Sequence, residues 1–242
     1  MALQRDEHPD AKQLNQCFIN QLVLWELRAM RITVFGAAGN VGSRVVAEAL
    51  SRGHEVTAVV RDPGRFHELH AEANARAGDA GNVEDVAELS AGQDVVISAT
   101  RPASGSESEL VTTTKALMDG LDRTGVRLLV VGGAASLTVP GTGGTILLDD
   151  PKFLPASSRI IAKASFDQFE VCRAEVRVDW AYLCPPAHMA PGERTGNYRL
   201  GTNELLLDAE GNSTISTEDL AVALLDEAER PKHHRTRFTV AY

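Results

Sequence analysis

Three glycines in the first third of the chain have the spacing of a phosphate-binding turn. Gly36, Gly39 and Gly42 follow an apolar, strand-like run at 31–35 and precede an alanine-rich segment of helical pattern. A strand, a tight turn and the free N–H groups of a helix N-terminus are what a dinucleotide pyrophosphate requires. Gly36 is expected to permit the turn, Gly39 to let the backbone approach the phosphates, and Gly42 to let the helix pack closely on the sheet. The predicted cofactor-binding loop comprises Gly36, Ala38, Gly39, Asn40, Val41 and Gly42.

The residue after the second strand-like run indicates which dinucleotide is bound. The run at 55–60 ends in Arg61, where an NAD site usually has an acidic residue that accepts hydrogen bonds from the ribose hydroxyls. A guanidinium pairs with a 2′-phosphate, whereas a carboxylate repels it. We therefore predict NADP(H) rather than NAD(H). Arg44 and Arg65 either assist Arg61 or are solvated surface charges.

Two further strand ends are expected to complete the cofactor crevice. Asp79 follows the third strand-like run, where its carboxylate can meet the adenine amino group or instead cap the helix that begins near Val83. Ala99 and Thr100 follow the fourth run. Their small side chains suit a backbone that passes close to the ribose and diphosphate.

The chain lacks the residue pair that carbonyl-reducing short-chain dehydrogenases use. Those enzymes place a lysine four residues after a tyrosine, so that its charge lowers the pKa of the phenol. None of the three tyrosines has a lysine at that spacing, and the position four before Lys163 is Arg159. Alcohol dehydrogenation, epimerisation and dehydration therefore lose their proton donor. Lys163 either holds the nicotinamide ribose or is exposed.

A reaction that needs only hydride delivery fits these residues better. Reduction of a flavin or quinone-like ring can take its proton from water, so the protein has to stack a planar acceptor against the nicotinamide. The glycine-rich segment at 130–136 leaves room for such a ring and ends in Ser136, which either hydrogen-bonds a ligand or caps a turn. His188 follows the sixth strand-like run, where it either relays a proton or bonds its own loop.

Composition and charge exclude several other classes of function. The net charge of −9 and the absence of any Lys/Arg run argue against a nucleic-acid partner. No apolar run approaches the ~18–20 residues of a membrane span, and no secretory signal pattern is visible, so a cytoplasmic location is expected. The three cysteines and seven histidines show no metal-ligand spacing, which predicts reduced thiols and no metal site.

The order of the predicted elements indicates one α/β domain at 30–242. Strand-like runs alternate with helical patterns, and the runs are nearly continuous in Val, Ile and Leu, which is typical of a doubly wound parallel sheet, the Rossmann fold. The tail after Pro185 is expected to fold over the carboxyl edge of this sheet, on the substrate side. Strands are predicted at 31–35, 55–60, 74–77, 94–99, 126–131, 179–184, 204–207 and 236–241. Helices are predicted at 41–52, 64–70, 83–90, 107–124, 158–177 and 216–229.

Residues 1–29 stand outside this alternation. Leu14, Phe18, Leu22 and Trp25 recur at helical spacing among polar residues, which predicts an additional amphipathic helix. Such a helix either covers a sheet edge, belongs to an extension upstream of an internal start at Met30, or forms a homodimer contact.

Taken together, these motifs resemble the atypical short-chain dehydrogenases. Within them the chain is most similar to the NADH-flavin reductase group, which is related to biliverdin reductase B and to NmrA-like NAD(P)-binding proteins. The resemblance covers about residues 30–242. It is carried by the glycine turn, Val60-Arg61-Asp62-Pro63, Gly78-Asp79, the segment at 92–97, the serine after the fifth strand and the segment at 185–201, of which 191–201 is the most specific.

The resemblance implies NADP-dependent reduction of flavins or similar planar acceptors. Ser136 matches the serine that follows the fifth strand in the biliverdin reductase B pattern. His188 matches the histidine after its Pro-Pro pair, displaced by the one residue Ala187. NmrA-like relatives bind NADP as non-catalytic redox sensors, so sensing is the alternative function, and an accessory reductase of a biosynthetic pathway is another.

Overall fold

The computed structural model describes residues 29–242, so the predicted N-terminal helix and its dimer contact lie outside the described residues. The α-helices of the described part are α1 (Asn40–Ser51), α2 (Val83–Ser90), α3 (Glu109–Thr124), α4 (Arg159–Ala174) and α5 (Thr217–Glu229). The strands are β1 (Arg31–Phe35), β2 (Glu55–Val60), β3 (Asn74–Ala77), β4 (Val95–Ser98), β5 (Arg127–Val131), β6 (Trp180–Cys184), β7 (His188–Ala190), β8 (Arg199–Gly201), β9 (Thr214–Ser216) and β10 (Thr236–Ala241).

The main sheet has the doubly wound topology that the alternation of elements predicts. Its strand order is β3-β2-β1-β4-β5-β6-β10-β8, and all neighbours are parallel except β8, which is antiparallel to β10. The chain reverses its direction of winding between β1 and β4. In such sheets ligands bind outside the carboxyl ends of the strands at that point. The Rossmann fold is therefore confirmed.

Both faces of the sheet are buried, which explains why its strands are apolar throughout. Alternate side chains of β4 enter opposite cores: Val95 and Ile97 lie with apolar residues of α1 and α5, whereas Val96 lies with those of α2, α3 and α4. A strand with two buried faces cannot show the alternation of polar and apolar residues that marks a half-buried strand.

Two predicted elements are wrong in type or position, and two strands were not predicted at all. The strand predicted at 204–207 is absent, and Arg199–Gly201 pairs with β10 instead. The helix predicted at 64–70 is a 3-10 helix, Pro63–Glu68. The sequence also gave no sign of β7 and β9, which pair with each other as a separate two-stranded sheet. Each of these strands has three residues, too few for a periodic pattern, and each depends on a partner distant in sequence.

The segment at 191–201 braces the helices α1 and α5. Arg194 forms an ion pair with the buried Glu48 of α1 at 2.7 Å. The N–H of Gly196 donates to Asp219 of α5 at 2.7 Å, and the hydroxyl of Tyr198 donates to Asp226 at 2.6 Å. This motif is therefore structural: it ties α1, the helix of the glycine turn, to α5.

The hydrogen bonds of this brace lead us to expect that the free energy of unfolding decreases in acid. Asp219 is fully buried, and although burial opposes its ionisation, hydrogen bonds from Thr195, Tyr242 and Gly196 outweigh that effect and lower its pKa. A lowered folded-state pKa adds stability that is present above the unfolded value, near 4, and is lost as pH falls through the folded value. We expect Tm to fall below about pH 4 and Asp219→Asn to lower Tm at pH 7 while making this fall smaller. Melting curves between neutral and acidic pH test this, with the exposed Glu210→Gln as the control that leaves the pH profile unchanged.

Candidate functional site

A cleft lies at the carboxyl ends of the parallel strands and has a volume of about 450 Å³. That volume is in the range of small-molecule and cofactor sites. Nine of the predicted cofactor residues line it: Gly36, Ala38, Gly39, Asn40, Val41, Arg61, Asp79, Ala99 and Thr100. Gly42 lies buried beneath them.

The glycine turn has the geometry of a phosphate cradle. Gly36 has φ +79°, and a Cβ there would lie 2.6 Å from the carbonyl oxygen of Ala99. A Cβ on Gly42 would lie 2.1 Å from the carbonyl oxygen of Gly36. The α1 N-terminus has no acidic residue in its first turn and no side-chain cap. The N–H groups of Ala38, Asn40 and Val41 donate to no acceptor among the described residues, so they are free to bind an anion. These residues therefore fit a dinucleotide diphosphate.

The rim of the cleft beside β2 is basic. Arg61 is exposed and forms no hydrogen bond or ion pair with the described residues. Asp62, the neighbouring carboxylate, accepts a hydrogen bond from the N–H of Gly64 at 2.8 Å and so begins the 3-10 helix. Arg65 also lines the cleft, although it pairs with Glu68 at 2.7 Å. The unpaired guanidinium of Arg61 is therefore available to an anionic group of a ligand.

Sequence reasoning missed Arg101, which lines the same cleft. Arg101 directly follows Ala99 and Thr100. The rule that ligands bind at the carboxyl ends of parallel strands would therefore have identified it as a candidate ligand-binding residue. Arg44, by contrast, is turned to α5, where it forms an ion pair with Glu218 at 3.1 Å.

Asp79 lines the cleft and does not cap α2. The cap is Asn82, whose side chain accepts from the N–H groups of Glu84 and Asp85. The Asp79 carboxylate accepts from the N–H of Gly81 at 2.9 Å, which holds it at the strand end.

Besides Gly42, three predicted site residues do not line the cleft. Lys163 is exposed and pairs with Asp167. Ser136 is buried at 5% exposure beside the thiol of Cys184, and its hydroxyl has no nitrogen or oxygen partner among the described residues. His188 does not follow β6 directly: β6 ends at Cys184, and His188 is the first residue of β7, where it is exposed. Neighbouring residues of a strand face opposite sides, so Met189 lines the cleft in its place.

The end of the cleft beside β5 is built mostly from residues that the sequence did not single out. We call it the distal end; it is lined by Val131, Gly132, Ile161, Ser165, Gln168 and Met189. Ile161, Ser165 and Gln168 recur at helical spacing on one face of α4. Their spacing was visible in the sequence, but which face of α4 meets the cleft was not.

Tyr182 lies directly behind the distal end. Its side chain is fully buried, and its hydroxyl lies 2.9 Å from the carbonyl oxygen of Ser165 and accepts from the N–H of Gly133 at 3.1 Å. A Cβ on Gly132 would lie 1.9 Å from the Tyr182 ring, so only glycine fits there. Burial raises the pKa of Tyr182 well above its usual value near 10. Tyr182 therefore shapes the floor of the cleft as a neutral phenol.

Burial also makes the two described cysteines unreactive. It raises the pKa of the Cys172 and Cys184 thiols to about 12, far from the thiolate that a nucleophile requires. Within residues 29–242, no group of His, Cys, Asp or Glu is arranged to hold a metal ion, and no helix there is long and apolar enough to cross a membrane.

Comparison with known proteins indicates a nicotinamide dinucleotide as the ligand, the same class that the geometry of the glycine turn fits. The model of a family described as NAD(P)H-binding matches residues 36–231. YwnB of Bacillus subtilis (strain 168), an uncharacterized protein, is 38% identical over 218 residues, which cover 87% of this chain and 98% of YwnB.

Two solved structures are similar to the chain and carry different descriptions. One, from Streptococcus pneumoniae TIGR4, is described as a candidate NADH-flavin reductase. It has 33% identity and a TM-score of 0.78, and the match covers 88% of this chain and 99% of that one. The other, from Bacteroides thetaiotaomicron, is described as a candidate epimerase. It has 39% identity and a TM-score of 0.80, and the match covers 89% of this chain and 98% of that one.

Proposed function

We propose that this chain, which belongs to the NAD(P)H-binding family of atypical short-chain dehydrogenases, is an NADPH-dependent reductase of a planar acceptor such as a flavin or quinone. The turn at 36–42 binds the diphosphate through its free N–H groups. Arg61 binds the 2′-phosphate, with Arg65 on the same rim, and Arg101 lines the cleft after β4. The cofactor, when bound, would supply a hydride to the acceptor, and water supplies the one proton that completes the reduction.

One observation carries the choice of reaction: none of the described residues that line the distal end can donate or accept a proton near neutral pH. Ser165 donates its hydroxyl proton to the carbonyl oxygen of Ile161 at 2.9 Å. Tyr182 is buried and its pKa is raised. Reduction of a carbonyl or epimerisation of a sugar needs an acid or base beside the reacting carbon, whereas a ring that delocalises the incoming charge does not.

The similar solved structures support both sides of this choice. The description of the Streptococcus pneumoniae protein agrees with flavin reduction, whereas that of the Bacteroides thetaiotaomicron protein names epimerisation. The lack of an acid or base at the distal end favours the first of these for this chain.

An acceptor screen tests the proposal. We expect purified protein to oxidise NADPH faster with FMN, riboflavin or 2-methyl-1,4-naphthoquinone than with buffer alone, and faster than it oxidises NADH. Loss of the reduced-nicotinamide absorbance measures the rate, and titration with NADP⁺ measures binding separately. Tight NADP⁺ binding with no turnover above background would refute the reductase and leave a non-catalytic NADP(H) sensor.

A further inference from the structure

The distal end of the cleft carries one side-chain amide, that of Gln168. The distal end lies at the carboxyl end of β5. The strands β1 and β4 separate β5 from β2 and Arg61. None of the residues that line the distal end is charged. Gln168 is only 2% exposed, and it is nonetheless among the residues that line the cleft.

Hydrogen bonds from neighbouring residues set the orientation of the Gln168 amide. The hydroxyl of Thr114 donates to the carbonyl oxygen of Leu110 at 2.7 Å. Since its proton is used there, Thr114 accepts from Nε2 of Gln168 at 3.1 Å. Oε1 of Gln168 lies 3.1 Å from the hydroxyl of Tyr182. The nitrogen therefore faces Thr114 and the oxygen faces Tyr182.

This arrangement leaves hydrogen-bonding capacity on Gln168. A primary amide has two N–H donors and two acceptor sites on its oxygen. Thr114 uses one N–H, and no other described residue accepts the second. A buried donor without a partner is costly, so a ligand group that accepts this N–H gains binding free energy.

Two apolar side chains flank the same region. Ile161 comes from α4 and Met189 from β7, and both are partly buried and line the cleft. Methionine contacts aromatic rings favourably through its polarisable sulfur. The distal end thus combines apolar side chains for the faces of a ring with a hydrogen-bond donor for its edge.

We propose that Gln168 orients the acceptor by donating its free N–H to a carbonyl oxygen or ring nitrogen at the edge of an uncharged ring, while Ile161 and Met189 contact the ring. The proposal rests on the reductase function proposed above. It names the substrate class as a neutral planar ring with a hydrogen-bond-accepting edge, which flavin and quinone rings share. It also assigns acceptor recognition to Gln168 and Met189, and not to Ser136 and His188.

The variant Gln168→Met tests this with little risk to the fold. The hydroxyl of Tyr182 keeps the carbonyl oxygen of Ser165 as its acceptor, and that of Thr114 keeps the carbonyl oxygen of Leu110. No buried hydroxyl proton therefore loses its only partner. We expect the acceptor KM to rise about three- to tenfold, the effect of one lost hydrogen bond, with the Kd for NADPH unchanged within about twofold.

Riboflavin binding provides a readout that does not need turnover. Quenching of riboflavin fluorescence by the NADP⁺-loaded protein is expected to show a similar loss of affinity in Gln168→Met and in Met189→Ala. Leu200→Ala, a truncation of an exposed residue on β8, is the matched control and leaves the affinity unchanged. Parallel titrations with 2-methyl-1,4-naphthoquinone as the substrate show whether flavins and quinones use the same contacts.

The outcomes separate this proposal from the general function. If wild-type protein binds riboflavin without oxidising NADPH and both variants weaken that binding, the reductase function fails and the assignment of Gln168 and Met189 stands. If Gln168→Met weakens NADPH binding but not riboflavin binding, the amide binds the nicotinamide and the proposal is overturned. If Gln168→Met does not fold, Met189→Ala decides: unchanged riboflavin affinity in a folded Met189→Ala overturns the proposal.

Discussion

Replacing Gly42 by alanine is expected to weaken NADPH binding about 100-fold and to lower stability by about 1–3 kcal/mol. The added Cβ would lie 2.1 Å from the carbonyl oxygen and 2.8 Å from the carbonyl carbon of Gly36. Both are backbone atoms that cannot rotate away, so α1 has to move off the turn. That movement displaces the free N–H groups from the phosphate, and loss of two charge-assisted hydrogen bonds at ~1.5 kcal/mol each gives the expected fold-change.

Titration calorimetry with NADP⁺ and thermal melting measure the two effects separately. Gly53→Ala is the matched control, since Gly53 lies just beyond the other end of α1 with φ +81° and no atom within 4 Å of its would-be Cβ. Its backbone strain costs about 1–2 kcal/mol of stability and leaves the cofactor Kd unchanged. A folded Gly42→Ala that binds NADP⁺ as tightly as the wild type would show that the diphosphate does not bind at this turn.

Replacing Arg61 by alanine is expected to raise the Kd for NADPH about 10- to 150-fold while changing the Kd for NADH less than about threefold. The range corresponds to loss of a charge-assisted hydrogen bond worth ~1.5–3 kcal/mol. Arg61 has no carboxylate partner among the described residues, so its removal strands no buried charge and should not affect folding. Because no described carboxylate pairs with Arg61, the charge of its guanidinium is available to a 2′-phosphate.

The control for Arg61 is Arg76→Ala on the neighbouring strand β3. Arg76 pairs with Glu88 at 2.9 Å and does not line the cleft, so its loss changes net charge equally without touching the cofactor. Arg61→Lys is expected to recover part of the NADPH affinity, because an ammonium retains the charge but not the paired N–H donors of a guanidinium. Equal weakening of NADPH and NADH in Arg61→Ala would remove the basis for NADP(H) preference.

The brace at 191–201 shows that a conspicuous sequence motif can serve the fold and not the ligand. This segment is the most specific mark of the family resemblance, and none of its residues lines the cleft. In the structure Arg194 is bound to Glu48, and Arg52 shares that carboxylate at 2.8 Å. The hydrogen bonds from Arg194 and Arg52 hold the pKa of Glu48 below its usual value despite burial. Ionic partners distant in sequence, and not a ligand, account for the residue types.

The sequence by itself determined the parallel core and the cofactor end of the site. Strand and helix periods are local properties, and in a parallel sheet they imply that the carboxyl ends of the strands meet at one edge. The bounds of β1, β2, β3 and α2 were therefore predicted without error. The glycine turn and Arg61 lie at that edge for the same reason.

Only the tertiary structure decided the distal end. The rotation of α4 decides that Ser165 and Gln168, and not Lys163, meet the cleft, and the pleat of β7 decides that Met189, and not His188, does so. A shift of one residue in the pairing of a strand moves each side chain to the opposite face. The register of β7 therefore decides whether His188 or Met189 faces the cleft, and no local sequence pattern specifies that register. That register comes from the pairing of β7 with β9, 24 residues or more along the chain, where His188 lies opposite Thr214 and Met189 opposite Ile215.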